Sequence, residues 1–171
     1  MDDLFRLAAI EDIKRCKARY IRGTDTMDWP LFGSAFTEDA VWDLRGFAVA
    51  RRPWDGEWNN VGAGAFDFAF LDSLSAIVPW PVTGRAAIAR AAGDHTKWAG
   101  SFHALFNPEI EILTEDTARA SWPFEDTLHF PEGAPIRQFN GFAYYHETYE
   151  RIDGEWLIRT CTLQRLLCSM R

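Results

Sequence analysis

The hydrophobic period changes once along this chain, and the change fixes the class of fold. Before residue 101 the clear segments repeat their apolar residues every three or four positions; after it the residues alternate. In residues 6–23, Leu7, Ile10, Ile13, Lys17 (through its stem) and Tyr20 share one side, with Glu11, Arg15, Arg19 and Arg22 largely elsewhere. Gly23 reads as the stop of this helix. Asp28 is placed to cap a second, short helix that tolerates Pro30 in its first turn and buries Leu31, Phe32, Ala35 and Phe36. A short strand follows at 40–44, and a third helix at 84–98 has Ala87, Ile88, Ala91 and Ala92 as its small apolar side. The alternating region divides into strands at 102–113 (bulged near Pro108), 118–130, 139–151 and 155–167, the last two joined by an Asp153-Gly154 turn. Pro123 argues against a central, fully paired position. Helices first and antiparallel strands last is the order of an α+β fold.

A chain of 171 residues suits one domain over 1–171 with a sizeable core. Its 47% hydrophobic and 15% aromatic content is enough for both that core and the walls of an apolar pocket. The formal charge of -7, with no basic cluster, argues against nucleic acid and an anionic membrane as partners. Met1-Asp2-Asp3 lacks the basic start of a signal peptide, and no apolar stretch is long enough to span a bilayer. Cys16, Cys161 and Cys168 are odd in number, scattered and free of any C-x-x-C, so they read as reduced core thiols of a cytoplasmic protein. Residues 46–83 form an insertion rich in Pro, Gly and aromatics, including Trp54, Trp58, Phe66, Phe68, Phe70 and Trp80. An insertion of this length serves as a lid, a binding loop or an oligomer contact, or else is an aromatic-stapled surface loop. A helical turn is expected near 66–74.

Asp126 is the anomaly of its strand. It shares a face with Ala118, Ala120, Trp122, Phe124 and Leu128. A carboxylate there is paired or neutralised, unless the pleat breaks at Pro123 and turns it to water. His103, on the preceding strand, is either a structural histidine or a general acid–base group. If the two strands pair, Asp126 would orient His103 and support its charged form. Tyr20 alone reads as a core residue. Asp25 alone reads as a loop residue just past a helix, where the dipole disfavours its charge. Asp94 and His95 lack the spacing for a metal site with His103, and neither a nucleotide loop nor a G-x-S-x-G elbow is present. His129 and His146 read as surface or half-buried strand residues, and Asp43 and Arg45 as candidates for a pocket mouth.

Several segments resemble the SnoaL-like branch of the nuclear transport factor 2-like superfamily. They are Ile10 to Tyr20, Asp25-Thr-Met-Asp-Trp29, Phe36 to Val41, His103-Ala-Leu-Phe-Asn-Pro-Glu109, Trp122-Pro-Phe-Glu-Asp126 and Tyr145 to Trp156. The resemblance implies a cone, in which N-terminal helices pack on a curved antiparallel sheet around a deep pocket. It also implies a homo-oligomer, dimer or trimer, built on the sheet. The pattern of Tyr20, Asp25, His103 and Asp126 is similar to that of bile acid 7α-dehydratase and scytalone dehydratase. Phe106 stands where the bile acid enzyme has a second histidine, and the pocket tyrosine of the first strand is replaced near Trp42–Leu44.

The resemblance thus implies a cofactor-independent dehydratase or isomerase acting on a hydrophobic, polycyclic or aromatic small molecule. His103 would abstract a proton, oriented by Asp126; Tyr20 would bond a substrate oxygen; Asp25 would position or protonate the leaving hydroxyl. Trp42, Leu44, Phe106, Trp122 and Phe124 are the expected substrate-binding residues. No metal and no organic cofactor is needed for such chemistry. A polyketide cyclase-like enzyme and a non-catalytic binding or assembly module are the alternatives, because fold does not imply function.

Overall fold

The structure is a computed structural model, and it describes residues 2–45, 80–96 and 99–170. Among the described residues, three helices, α1 (Asp3–Asp25), α2 (Trp29–Gly33) and α3 (Arg85–Thr96), pack on one seven-stranded sheet. The strands are β1 (Phe36–Asp43), β2 (Val82–Thr83), β3 (Gly100–Leu105), β4 (Glu109–Ile112), β5 (Thr117–His129), β6 (Gln138–Ile152) and β7 (Glu155–Met170). Their order is β2-β1-β7-β6-β5-β3, with β4 also on β5. All pairings are antiparallel except β1 with β7. This is the expected α+β cone.

The first helix runs longer than its apolar period predicts. Asp2 caps it by accepting the Phe5 amide at 2.7 Å. Its buried side is Ala9, Ile13, Cys16, Lys17, Tyr20, Gly23 and Thr24, whereas Leu7 is 63% exposed and not part of it. Gly23 does not stop the helix. A Cβ there would lie 2.5–2.8 Å from the backbone and Cβ of Phe32, so glycine is what lets α2 cross against α1. The helix ends two residues later at Asp25, and Met27 turns the chain with φ 56°. Asp25 is therefore held in the last helical turn and is not a loop residue. Asp28 then caps α2 through the Leu31 amide at 3.0 Å, with Pro30 in the first turn, as expected.

The strands alternate as the period requires, with three differences. The first strand starts at Phe36, four residues earlier than its pattern shows. The segment 102–113 is two strands, not one bulged strand: β3 and β4 pair with β5 at Leu105↔Phe124 and Glu109↔Ser121, leaving Trp122 and Pro123 opposite a gap. Proline lacks an amide to donate, and its carbonyl accepts the Phe106 amide at 2.9 Å where the gap begins. The last strand extends to Met170. The described end of the insertion is tied in: Val82–Thr83 pair with β1, and Trp80 packs on Trp42 with ring centroids 4.9 Å apart. The expected helical turn at 66–74 and the remaining aromatics of the insertion lie outside the described residues. No described helix is long and apolar enough to cross a membrane.

Gly23→Ala tests the α1–α2 crossing. Helix propensity alone would favour alanine by about 1 kcal/mol. The clash with Phe32 reverses the sign, and a net loss of about 1–3 kcal/mol is expected in denaturant melts. A stabilised variant would refute the close approach.

Candidate active site

Asp25 and His103 meet across the end of α1 and strand β3. His103 Nδ1 lies 2.6 Å from Asp25 Oδ1. The same carboxylate accepts the His103 backbone amide at 3.0 Å and the Ser101 hydroxyl at 3.1 Å. A carboxylate only accepts, so the proton between them is carried on Nδ1, and Nε2 is the basic nitrogen of the neutral ring. The His103 and Asp25 side chains are only 9% and 16% exposed. Three donors on one carboxylate outweigh the mild dipole penalty at a helix C-terminus.

The structure corrects the expected partner of His103. His103 and Asp126 are register partners in β3 and β5, yet their side chains do not pair. Asp126 is bound instead by Arg165 of β7, with Nη1–Oδ1 at 2.6 Å and Nη2–Oδ2 at 2.9 Å. Both side chains are buried, at 5% and 1% exposed. A planar guanidinium facing a carboxylate in this two-point manner is a strong, oriented pair. Gly141 of β6 makes room for it, since a Cβ there would lie 2.1 Å from Arg165 Nη1 and 2.5 Å from Asp126 Oδ1. Asp25 thus takes the orienting role expected of Asp126.

A cavity of about 50 Å³ opens between described residues, with His103, Asp126, Arg165, Tyr20, Tyr145 and Trp42 in its wall. Leu44 lines it as expected. Phe106 does not; it is 51% exposed beyond the end of β3. Trp122 and Phe124 are core residues behind the cavity. Trp122 Nε1 donates to the Tyr149 hydroxyl at 3.1 Å, and Phe124 stacks on Tyr145 at 4.0 Å between centroids. Asp43 is satisfied by Arg45 at 2.6 Å. His129 and His146 are exposed, and His146 bonds Ser121 and Gln164 on the outer face.

Tyr20 accepts a hydrogen bond from Trp42 Nε1 at 3.2 Å. Burial first, and then the neighbouring Tyr145, pushes the Tyr20 phenol well above its ordinary range. Burial, and then Asp126, does the same to Tyr145. Both rings line the cavity as neutral phenols, and the Tyr20 hydroxyl is hydrogen-bonded to that of Tyr145. Behind them, Lys17 and Glu147 form a fully buried ion pair, Nζ–Oε1 2.6 Å, and Tyr149 donates to the other carboxylate oxygen. The three cysteines are buried thiols, and burial raises that of Cys16 to about 12.

A SnoaL-like domain matches residues 6–162. The chain belongs to the SnoaL-like family. Solved structures of similar fold include a type 2 hexachlorocyclohexane dehydrochlorinase, LinA, at 17% identity and TM-score 0.73, covering 99% of this chain and 93% of that one. The type 3 LinA of Novosphingobium barchaimii is similar at 17% identity and TM-score 0.72, covering 99% and 94%. A Novosphingobium aromaticivorans protein with a provisional scytalone dehydratase assignment is similar at 17% and TM-score 0.68, covering 96% and 88%.

In this SnoaL-like chain the sequence reading missed Arg165, Tyr145 and Ser101. Arg165 had a signal: it lies two residues after Leu163 and four after Cys161 on an alternating strand, so it falls on the apolar side. Tyr145 stands on the alternating strand 139–151, and nothing in that alternation marks it as a pocket phenol.

Two measurements test this electrostatic arrangement. Arg165→Met strands the Asp126 carboxylate and should cost about 3–5 kcal/mol in chemical denaturation, whereas Asp126→Leu with Arg165→Met should recover most of it. The raised phenols of Tyr20, Tyr145 and Tyr149 give stability that is full below the unfolded tyrosine pKa of about 10 and is lost as pH rises towards their folded values. The melting temperature should therefore fall above about pH 10, and less steeply in Tyr145→Phe, if that variant folds.

Proposed function

We propose that this chain is a cofactor-independent lyase, or an isomerase, that moves a proton on a hydrophobic aromatic or polycyclic small molecule. The observation that carries this reading is the Asp25–His103 pair, 2.6 Å apart and largely shielded from water, with His103 in the wall of a cavity that Tyr20, Phe32, Trp42 and Tyr145 also line. His103 Nε2 takes a proton from a carbon next to a substrate carbonyl. Asp25 holds the Nδ1–H and stabilises the imidazolium that forms. Tyr20 and Tyr145 donate to the oxygen on which the enolate charge develops. In the elimination, the electron pair of the broken C–H bond forms a double bond as the C–O bond breaks, and the proton on Nε2 lets the hydroxyl leave as water. In the isomerisation the same proton returns to another carbon.

Structural relatives named as a dehydrochlorinase and a dehydratase support the elimination, since the one removes hydrogen chloride and the other water. About 50 Å³ between the described walls admits the reacting end of such a molecule. The Arg165–Asp126 pair would fix the polar side of that end.

The test is a thermal-shift screen of steroid, aromatic and polyketide compounds, followed by turnover of any ligand found. His103→Ala and Asp25→Asn should each lower turnover by about 10²–10⁴-fold while the protein stays folded. Unchanged turnover in both variants would remove the mechanism. Tight binding without turnover would instead support a non-catalytic binding module.

A further inference from the structure

The proton-transfer reading leaves one buried group without a task. Lys17 Nζ lies 3.8 Å from the centroid of the Tyr20 ring and 3.7 Å from that of Tyr145. The two rings meet edge-on with centroids 5.5 Å apart, and the ammonium sits against both. Its counter-ion, Glu147, also holds the Tyr149 hydroxyl and the Cys161 thiol; its charge still raises the Tyr20 phenol, and the ammonium, which lies directly against the ring, opposes it. The ion pair is 0% exposed at both ends. Burying two charges costs several kcal/mol each, and an apolar pair of the same volume would often be as stable. Helix anchoring alone does not require a charge here, because α1 already buries Ile13, Cys16 and Tyr20.

We propose that Lys17 is a positioning residue of the candidate site: its ammonium braces the faces of Tyr20 and Tyr145 and strengthens both phenols as donors to a substrate oxygen. The inference rests on the proposed proton-transfer function. When a phenol donates to a developing enolate, negative charge grows on its ring. A desolvated cation over the face of that ring stabilises the change. The Lys17–Glu147 pair then acts as a buried dipole with its positive end on the two rings and its negative end on Tyr149 and Cys161. The recognised partner is a ligand oxygen that gains charge, such as that of an enolate or a phenolate.

The probe is 4-nitrophenol, whose ionised form absorbs visible light and whose oxygen stands in for an enolate oxygen. Bound to the whole wild-type protein, it should show a higher ratio of ionised to neutral form than it does in free solution at the same pH. Lys17→Met combined with Glu147→Gln removes both charges and keeps a bonding partner for Tyr149, so neither partner is left as a buried lone ion. This folded variant should still bind the probe, but with the ratio lowered by roughly threefold to tenfold. A merely structural Lys17 would change the melting temperature and leave the ratio unaltered. If Tyr20→Phe lowers the ratio and the double variant does not, the role of Lys17 is overturned and the site stands. If neither substitution changes it, or the wild-type protein fails to bind 4-nitrophenol, the proposed function falls and this inference with it. Should the double variant not fold, Lys17→Arg carries the test. The altered cation geometry should change the ratio, and an unchanged ratio overturns the proposal.

Discussion

The tie between the end of α1 and the start of β3 is the contact on which the site depends. One carboxylate, Asp25, accepts from the backbone of His103, from its ring and from Ser101. Main chain and side chain of the same histidine are thus fixed from a single point. The imidazole cannot rotate without giving up a charge-assisted bond, and it cannot withdraw without taking β3 with it. The position of α1 is in turn set further back, by Lys17 on Glu147 and by the close crossing of Gly23 on Phe32. A helix held at three points along its length, to three different elements, delivers a side chain to a fixed place with little freedom.

Two ion pairs stand behind the cavity, and they differ in kind. Asp126–Arg165 is a planar, two-point pair in the cavity wall, held in a notch left by Gly141. Lys17–Glu147 is a single-point pair set deeper, among aromatic rings and thiols. The first offers a fixed polar surface to whatever occupies the cavity. The second reaches the cavity only through the rings of Tyr20 and Tyr145. Trp42 completes the set by donating to the Tyr20 hydroxyl, which in turn hydrogen-bonds that of Tyr145. Charge is therefore present in and behind a wall built from both aromatic and aliphatic side chains.

The parts of the molecule legible in the sequence were those governed by period and by local caps. The alternation from Ala118 to Leu128 placed Asp126 inside correctly, because side chains of a paired strand must alternate. The cap at Asp28 was equally local. What failed was partner choice. His103 and Asp126 do lie side by side in the sheet, but Arg165 comes from two strands away and offers Asp126 a better-matched group. Asp25 is brought to His103 by a helix that runs past Gly23, and that extension depends on a tertiary contact with Phe32. Gly23 looks like a stop only while its neighbour in space is unknown. Leu7 failed for a different reason: at 3.6 residues per turn it lies on the far side of α1 from Ala9, Ile13, Cys16 and Tyr20, so steps of three counted from Leu7 drift off the buried face. Tyr145 of β6 brings a phenol to the cavity wall beside Tyr20 of α1, a meeting across elements that no local pattern reveals.

The gap between β3 and β4, opposite Pro123, has a consequence for how such a site can vary. β5 and β6 carry their register past it without interruption, and β7 stays paired with β6 through register shifts at Phe142/Ala143 and Thr148/Tyr149, so the three long strands form a continuous frame. Residues 106–108 join the two short strands across that gap, and the Phe106 amide on the Pro123 carbonyl marks where pairing lapses. Lengthening or shortening this connection would shift β3, and with it His103, relative to the frame, while Asp126, Tyr145 and Arg165 stayed where they are. The distance between His103 and the Asp126–Arg165 pair thus depends on two things, the Asp25 tie from α1 and the length of a short surface segment that can change with no repacking of the interior.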